Sequence, residues 1–525
     1  DLVVEDDLIQ HACDFVQQVL DSGKPLVVPM QRGFPIMPSP DYFANQRAHI
    51  KSISYGFQAP LDALACIQMA CEESIETALA DESRRFMALM TGPASHAMRY
   101  QFMAEHLARQ VPNVHKDTPT TTISSVGIVG GGLMGCGIAI VCASKHYSVR
   151  VVEKDSAASV RCQSHFVDYY DQAVQKGKLT AEQARVCMEK ISMEADLSAL
   201  KDCDLVIEAV FEDMRVKEDV FKALDAICKP SCILASNTSG LDINRIAQQT
   251  KRPDKVLGLH FFSPAPVMRL LEVVRAQLTP HETLATALSF AKHIRKIAVC
   301  VNVCPGFVGN RMLVPYFREV EQLLLEGVKP DVLDKALTQF GFAMGPCQMA
   351  DMSGLDISTR LIPGDTLAQV FVADGRLGQK SGAGFYNYES GSNAPLPSDE
   401  AIHLIQAYAK KRGVYSRQYQ PQEIVMRCVL ALINEGANIV SESIVARSSD
   451  IDIVYVYGYG FPAYRGGPMF YADTVGLDSV IADLDRLAEI YPDRWKVSDL
   501  LRRLKQDGKK LSQYRAINVG QDGRT

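Results

Sequence analysis

The spacing of apolar positions along the 525-residue chain changes twice, and the changes divide it into parts. Residues 1–115 carry apolar side chains at helical intervals, in "DLIQHACDFVQQVL" (7–20), "PLDALACIQMACEESIETALADESRRFMALM" (60–90) and "SHAMRYQFMAEHLARQV" (95–111). The Pro-rich "GKPLVVPMQRGFPIMPSP" (23–40) reads as a connection and the polar "PNVHKDTPTTT" (112–122) as a linker. From 123 to 303, short β-rich runs alternate with helical stretches. The runs are "SVGIVG" (125–130), "SVRVVEKD" (148–155), "DLVIEAV" (204–210), "CILASNT" (232–238), "KVLGLHFF" (255–262), "LLEVV" (270–274) and "IAVCVN" (297–302). Such alternation predicts a mostly parallel sheet with helices on both faces. After about 304 the strands stop and helical periodicity runs to the end.

That helical tail holds a repeat. "GPCQMADMSGLD" starts at Gly345 and "GPMFYADTVGLD" at Gly467, both fitting GP-x3-AD-x2-GLD. Upstream, "EQLLLEGVKPDVLDKAL" (321–337) is echoed by "NIVSESIVARSSDIDIVY" (438–455). Two copies of one helical unit, 304–395 and 396–525, are expected to pack as a pseudo-two-fold pair, which predicts a monomer.

Composition adds mainly exclusions. With 47% hydrophobic and 22% charged residues the chain is ordinary globular material, and a formal charge of −6 gives no general attraction for nucleic acid. Its 14 cysteines include no C-x2-C pair, so no zinc pattern is expected, and free buried thiols are. No apolar run approaches the roughly 18 residues of a membrane span, and no secretory signal opens the chain. It begins with Asp1 rather than Met, which reads as a fragment, and its last residues, "GRT", are not the Ser-Lys-Leu address.

Two stretches carry chemistry. In "SVGIVGGGLMGCGIAIVCA" (125–143), Gly130-x-Gly132-x-x-Gly135 follows a β run and opens a helical one, with Leu133 and Met134 inside the turn. Gly130 allows a tight turn, Gly132 lets backbone approach a pyrophosphate, and Gly135 lets helix and strand pack closely. The helix N-terminus offers free N–H groups to phosphates. Glu153 ends the next strand, where it would accept from ribose hydroxyls and repel a 2′-phosphate, favouring NAD over NADP. FAD uses the same fingerprint, but nothing else suggests a flavin.

The second stretch is "LGLHFFSPAPVMRLLEVV" (257–274), with His260 and Glu272 among apolar residues. Should the two strands lie side by side, the carboxylate can hold one imidazole nitrogen and leave the other free as a general base. A lone histidine at a strand end is more often a satisfied structural residue. Its company reverses that weighting. "SNTSGL" (236–241) puts Asn237, Thr238 and Ser239 at a strand's C-terminal end, where open α/β sheets bind ligands, and "CPGFVGNRMLVPY" (304–316) adds Asn310.

From 123 to about 390 the chain resembles the 3-hydroxyacyl-CoA dehydrogenases. "GxGxMGxGIA", "EAVFEDMRVK" (208–217), "ASNTSGL", "GLHFFSPAPVM", "LLEV", "PGFVGNRML" and "GRLGQKSGAGFYNY" (375–388) occur in family order and spacing. The C-terminal duplication, with "YGYGFPAYRGGPMFYADTVGL", and Ser263 where the family often has Asn, resemble the bifunctional (type 1 multifunctional) branch, peroxisomal or bacterial. The resemblance implies a Rossmann-type doubly wound sheet followed by two duplicated helical dehydrogenase domains, and before them (1–115) the helical tail of a truncated crotonase-fold hydratase/isomerase domain plus a linker helix. It implies NAD-dependent oxidation of an (S)-3-hydroxyacyl-CoA, with His260 as base and Glu272 as its partner. Ser239 and Asn310 then lie around the substrate, and Glu212 and Lys217 on the cofactor side. Its setting would be the peroxisome, or the cytoplasm if bacterial. The second copy, with Met426 nearest to an Asn310 counterpart, reads as structural. The front acids Glu72, Glu73 and Glu76 are expected to face solvent, and no hydratase activity is expected from this chain. Lys176 is a candidate phosphate contact. The competing readings are a lyase truncated here and a non-catalytic or NAD-binding protein on the same fold.

Overall fold

A computed structural model describes residues 7–23, 38–54 and 56–516, in two compact units, 1–91 and 92–525. The first unit is helical: Leu8–Asp21, Pro40–Ile53, Ala59–Glu72 and Ile75–Thr91. Residues 24–37, most of the Pro-rich connection, lie outside the described residues, as does the terminal "GRT". The apolar run 60–90, expected as one helix, is broken because Glu73 turns extended (φ −121°, ψ 173°) and the Ser74 hydroxyl accepts from Thr77 N at 3.3 Å, restarting the helix. Arg85 joins the two pieces through Asp62 (2.8 Å), held in place by Asp81 on its own helix (2.6 Å). Glu72, Glu73 and Glu76 are exposed, and so is Lys176 in the second unit.

The helix Pro93–Ala108, counted above with the front of the chain, belongs to the second unit. Tyr100 donates to Asp452 (2.7 Å), Gln101 to Gly466 O (2.6 Å), and Arg447 to Leu107 O. The second compact unit therefore begins at Gly92, inside the 1–115 stretch. Periodicity showed the helix but not the surface it docks on.

The second unit contains one sheet of eight strands: β1 Ser125–Val129, β2 Ser148–Val152, β3 Ile191–Glu194, β4 Leu205–Glu208, β5 Ile233–Ser236, β6 Val256–Phe261, β7 Leu270–Arg275 and β8 Ile297–Asn302. Their order is β3-β2-β1-β4-β5-β6-β7-β8, all parallel except β6 against β7. Alternate residues feed two cores, as burial on both faces requires. Val126, Ile128, Leu205, Ile207, Ile233 and Ala235 pack with the helices Leu133–Ala143 and Ser156–Gln175. On the opposite face, Val129, Val206 and Leu234 join the helix Met214–Ile227 and a core continuous with the helical tail. The edge strand β3 was not anticipated: four residues of "ISME", none fully buried, give no apolar run. Free thiols were expected throughout, yet Cys136 and Cys162 are joined by a disulfide, with Cα atoms 6.1 Å apart. The helices after β1 and β2 pack on one sheet face and bring the two positions together, which spacing in sequence cannot show.

The duplication has a physical basis. In the first copy Asp334 accepts from Cys347 N (2.8 Å) and Gln348 N (2.9 Å); in the second Asp452 accepts from Met469 N (2.7 Å) and Phe470 N (3.1 Å). A Cβ on Gly345 or Gly467 would collide with those aspartates, at 2.2 and 2.5 Å, which explains the Gly of the repeated GP. The Asp of the repeated AD is the second clasp. Asp351 accepts from Phe385 N and Tyr386 N, and Asp473 from Leu511 N and Ser512 N. Burial pushes the Asp351 carboxyl up to about 6 and Asp452 well above the usual range.

Between the copies, the helices Gly309–Leu325 and Pro421–Ser441 exchange ion pairs about a pseudo-two-fold. Arg311 reaches Glu435 (2.7 Å) and Glu442 (2.6 Å), and Arg427 reaches Glu319 (2.7 Å) and Glu326 (2.7 Å). One offset of 116 relates all three partners (427 − 311, 435 − 319, 442 − 326). Among the described residues Pro421–Ser441 is the one helix long and apolar enough to cross a membrane; 78% of that stretch is buried within the protein, around Arg427.

The two ion-pair sets differ in burial. Arg427 and its glutamates are at most 7% exposed, whereas Glu442 is half exposed. Arg427→Ala is expected to cost about 3–5 kcal/mol, because buried Glu326 loses its cation and Glu319 keeps only Arg494. Arg311→Ala should cost about 1 kcal/mol. Denaturant midpoints test this, and equal losses would contradict it.

Candidate active site

The antiparallel register of β6 and β7 pairs His260 directly with Glu272. Directly opposed residues point to one face of a sheet, and the two side chains meet there, His260 Nδ1 lying 2.6 Å from Glu272 Oε2. Glu272 is fully buried and His260 is 6% exposed. The second Glu272 oxygen accepts from Val308 N (3.3 Å) and Gly309 N (3.1 Å), at the start of the helix Gly309–Leu325. Three donors and a helix N-terminus thus surround a carboxylate that burial alone would disfavour. With Nδ1 committed to Glu272, Nε2 is the nitrogen left to exchange a proton. Phe262 (ring centroid 4.4 Å) and Phe307 (6.0 Å) hold the imidazole plane.

The approach of that helix depends on its entry turn. Gly306 (φ +74°) and Phe307 (φ +50°) are both left-handed, and a non-glycine residue there is held at some cost. A Cβ on Gly240 would lie 2.9 Å from Gly306 N, so the "SNTSGL" loop passes directly against this turn. Asn310 Nδ2 donates across the contact to Ser239 O (3.0 Å), and Asn310 Oδ1 accepts from Tyr459 (3.0 Å). Asn237 Oδ1 accepts from Phe261 N (2.8 Å), tying β5 to the residue after His260. The structure therefore brings His260, Glu272, Ser239, Asn310 and Asn237 together at the C-terminal end of the sheet.

The residues expected on the cofactor side form a second cluster with an unforeseen centre. Glu208, at the end of β4, is fully buried and accepts from Ser236 Oγ (2.6 Å), Val210 N (2.8 Å) and Lys217 Nζ (2.6 Å). Lys217 is 1% exposed, and its ammonium also reaches Glu212 (3.1 Å), so it lies beneath the loop rather than at its surface. Glu212 accepts from Thr238 Oγ1 (2.6 Å), Ser239 N (3.0 Å) and Ser239 Oγ (3.3 Å). Burial raises the Glu212 carboxyl, but Lys217 and these bonds outweigh it and hold the carboxyl below its ordinary value. Glu208 had one signal in the sequence, a charge inside the apolar run "DLVIEAV".

The glycine turn sits where the strand order reverses, between β1 and β4. Gly130 has φ +105°, and a Cβ there would lie 2.7 Å from Ala209 O. A Cβ on Gly135 would lie 1.9 Å from Gly130 O, whereas one on Gly132 would meet nothing within 4 Å. The first and third glycines are thus required by the fold, and the middle one leaves open space before the helix Leu133–Ala143. Leu133 is exposed beside it and Met134 partly buried. Glu153, just past β2, accepts from Gly131 N (2.9 Å) and Asp155 N (3.1 Å), which fixes its carboxylate against the turn.

The family profile "3-hydroxyacyl-CoA dehydrogenase, NAD binding domain" matches residues 125–304, and "3-hydroxyacyl-CoA dehydrogenase, C-terminal domain" matches 306–388 and 424–513. The chain belongs to the 3-hydroxyacyl-CoA dehydrogenase family. It is an oxidoreductase, a dehydrogenase of fatty-acid β-oxidation. It is 35% identical to the peroxisomal bifunctional enzyme of Danio rerio, over 96% of this chain and 74% of that protein. To the fatty acid oxidation complex subunit alpha of Shewanella amazonensis it is 32% identical, over 93% and 70%. Among solved structures, 3-hydroxybutyryl-CoA dehydrogenase from Escherichia coli aligns with TM-score 0.65 at 28% identity, covering 74% of this chain and all of that one. The dehydrogenase part of multifunctional enzyme 1 from C. elegans aligns with TM-score 0.58 at 30% identity, covering 76% and 96%. The C-terminal-domain profile matches once in each helical copy, in keeping with the paired aspartate clasps.

The three glycines should fail differently. Gly135→Ala is expected to lower the thermal midpoint, since its methyl overlaps backbone. Gly132→Ala should leave stability unchanged while weakening NAD+ binding on the order of tenfold, a methyl's worth in a tight site. Thermal unfolding alongside NAD+ titration reads both. A Gly132→Ala protein with normal NAD+ affinity would contradict the placing of the pyrophosphate.

Proposed function

We propose that the chain oxidises (S)-3-hydroxyacyl-CoA to 3-ketoacyl-CoA at the His260–Glu272 pair, with NAD+ held at the Gly130–Gly135 turn. The observation that carries this is the direct pairing of His260 with a fully buried Glu272, at the sheet end that also carries the glycine turn. The turn fits the cofactor: space at Gly132, helix N–H groups behind it, and Glu153 positioned for a ribose but unfavourable to a 2′-phosphate. NAD+ bound there supplies the hydride acceptor.

The chain's own residues handle the proton and the alignment. His260 Nε2 takes the proton from the C3 hydroxyl as its carbon is oxidised, and Glu272 stabilises the resulting imidazolium through Nδ1–H. Asn310 and Ser239 position the substrate's oxygen and thioester. Asn310 keeps one Nδ2 hydrogen beyond its bond to Ser239 O. Asn237 keeps β5 in line with His260, and Lys217 with Glu208 and Glu212 keeps the intervening loop in shape. No hydratase step is assigned to the chain, since Glu72, Glu73 and Glu76, at the break between two helices, are all exposed. The proposed setting is the peroxisome, as in the name of the bifunctional relatives, with the cytoplasm as the alternative for a bacterial chain.

His260→Gln is expected to lower the rate of NAD+ reduction by about 10²–10⁴-fold, the usual worth of a general base, with NAD+ affinity unchanged. Near-normal turnover would remove His260 from the mechanism. Glu272→Gln turns an amide donor toward the N–H groups of Val308 and Gly309 or toward His260, and a loss of about 10²–10⁴-fold is expected. The internal pair of helical copies predicts a monomer of 57.8 kDa by light scattering, and a stable dimer mass at low concentration would contradict this.

A further inference from the structure

The second helical copy has no amide of its own to offer a substrate, since the 116-residue offset places Met426 opposite Asn310. It nevertheless reaches into the first copy's site. Tyr455 and Tyr459 stack with ring centroids 5.0 Å apart and direct both hydroxyls at the start of the helix Gly309–Leu325. Tyr455 donates to Gly309 O (3.3 Å) and Tyr459 to Asn310 Oδ1 (3.0 Å). The approach is close enough that a Cβ on Gly309 would fall 2.2 Å from the Tyr459 hydroxyl. The Tyr459 ring also meets Phe262 edge-on (5.6 Å), and Phe262 lies against His260 (4.4 Å). In the first copy the same place is Gly341, taking the offset of 118 that relates Asp334 to Asp452, so this tyrosine is an addition to the second copy alone.

An asparagine amide has two ends of nearly equal size, and only its hydrogen bonds decide which faces a ligand. In Asn310 one Nδ2 hydrogen is taken by Ser239 O, which fixes one end. The Tyr459 hydroxyl fixes the other. Burial first, then the nearby Glu272 and Tyr455, push the Tyr459 hydroxyl far above its usual titration range, so it remains a donor at every working pH. Held at both ends, the amide presents its remaining Nδ2 hydrogen in one direction without reorganisation.

We infer that Tyr459 is a positioning residue for the dehydrogenase reaction, supplied by the second helical copy to fix the amide of Asn310. The inference rests on the role proposed above for Asn310. Tyr459 touches neither the proton in transfer nor the cofactor; it acts through Asn310.

Tyr459→Phe removes the hydroxyl and keeps the ring on Tyr455 and Phe262, so the fold should stand. The test compares single-turnover rates of NADH formation with a 3-hydroxyacyl-CoA for wild type, Tyr459→Phe, Asn310→Ala and the double variant. The expected result is a loss of about 3–10-fold in Tyr459→Phe, the scale of one hydrogen bond, with KM for NAD+ and the thermal midpoint unchanged. No further loss is expected when Tyr459→Phe is added to Asn310→Ala. An unimpaired Tyr459→Phe beside an impaired Asn310→Ala overturns the inference and leaves the proposed function standing. Losses that multiply in the double variant also overturn it, since they assign the hydroxyl a role independent of Asn310. An unimpaired Asn310→Ala removes that residue from the reaction, and both its proposed role and this inference fall together.

Discussion

A carboxylate with no access to water needs donors, and the arrangement at the C-terminal end of this protein's sheet follows from how Glu272 obtains them. One comes across the antiparallel β6–β7 pair from His260, and two come from the helix that begins at Gly309. Meeting all three fixes the register of the only antiparallel pair in the sheet and sets the left-handed turn at Gly306 and Phe307. It also places Asn310 one residue past the donors. A parallel pairing would have separated the ionisable groups, and a slip of one residue would have turned them to opposite faces.

The helical copies extend the same constraint. Arg311, one residue beyond Asn310, is fastened to the second copy through Glu435 and Glu442, while Arg427 returns the contact to Glu319 and Glu326. The helix that positions Asn310 and donates to Glu272 is thereby clamped along its length. Each copy holds its own shape with two aspartates that accept from backbone N–H groups, all buried except the half-buried Asp473, so the repeated GP-x3-AD records a structural need. The two copies diverge near the start of these paired helices. There, Asn310 faces Met426 in the pseudo-symmetry, and Tyr459 of the second copy bonds to the first.

Much of this was legible in the residues. The glycine turn, the strand alternation, the duplication and the His260–Glu272 pairing each leave a local pattern, because each is set by spacing along one or two neighbouring elements. What escaped depends on contacts between distant parts of the chain. The strand Ile191–Glu194 is too short and polar to show a run. The helix Pro40–Ile53 lacks a strong apolar face, and the break at Glu73 rests on a single Ser74 cap. The docking of Pro93–Ala108 is set by Asp452 and Gly466, more than 350 residues away. The Cys136–Cys162 bond needed two helices placed side by side. Glu208 was visible as a charge in an apolar strand, but its partners Lys217 and Ser236 come from other elements. Tyr459 lies within the motif "YGYGF", but nothing in that motif marks a neighbour 149 residues earlier.

The central claim is that the carboxylate at 272 holds one face of the imidazole so that the other can take the substrate's proton. A crystal structure with NAD+ and a 3-ketoacyl-CoA product bound tests it most directly. The account predicts the product's C3 oxygen at hydrogen-bond distance, about 2.6–3.2 Å, from His260 Nε2, with Nδ1 still on Glu272. A C3 oxygen resting on another side chain, or an imidazole turned away from Glu272, would contradict it.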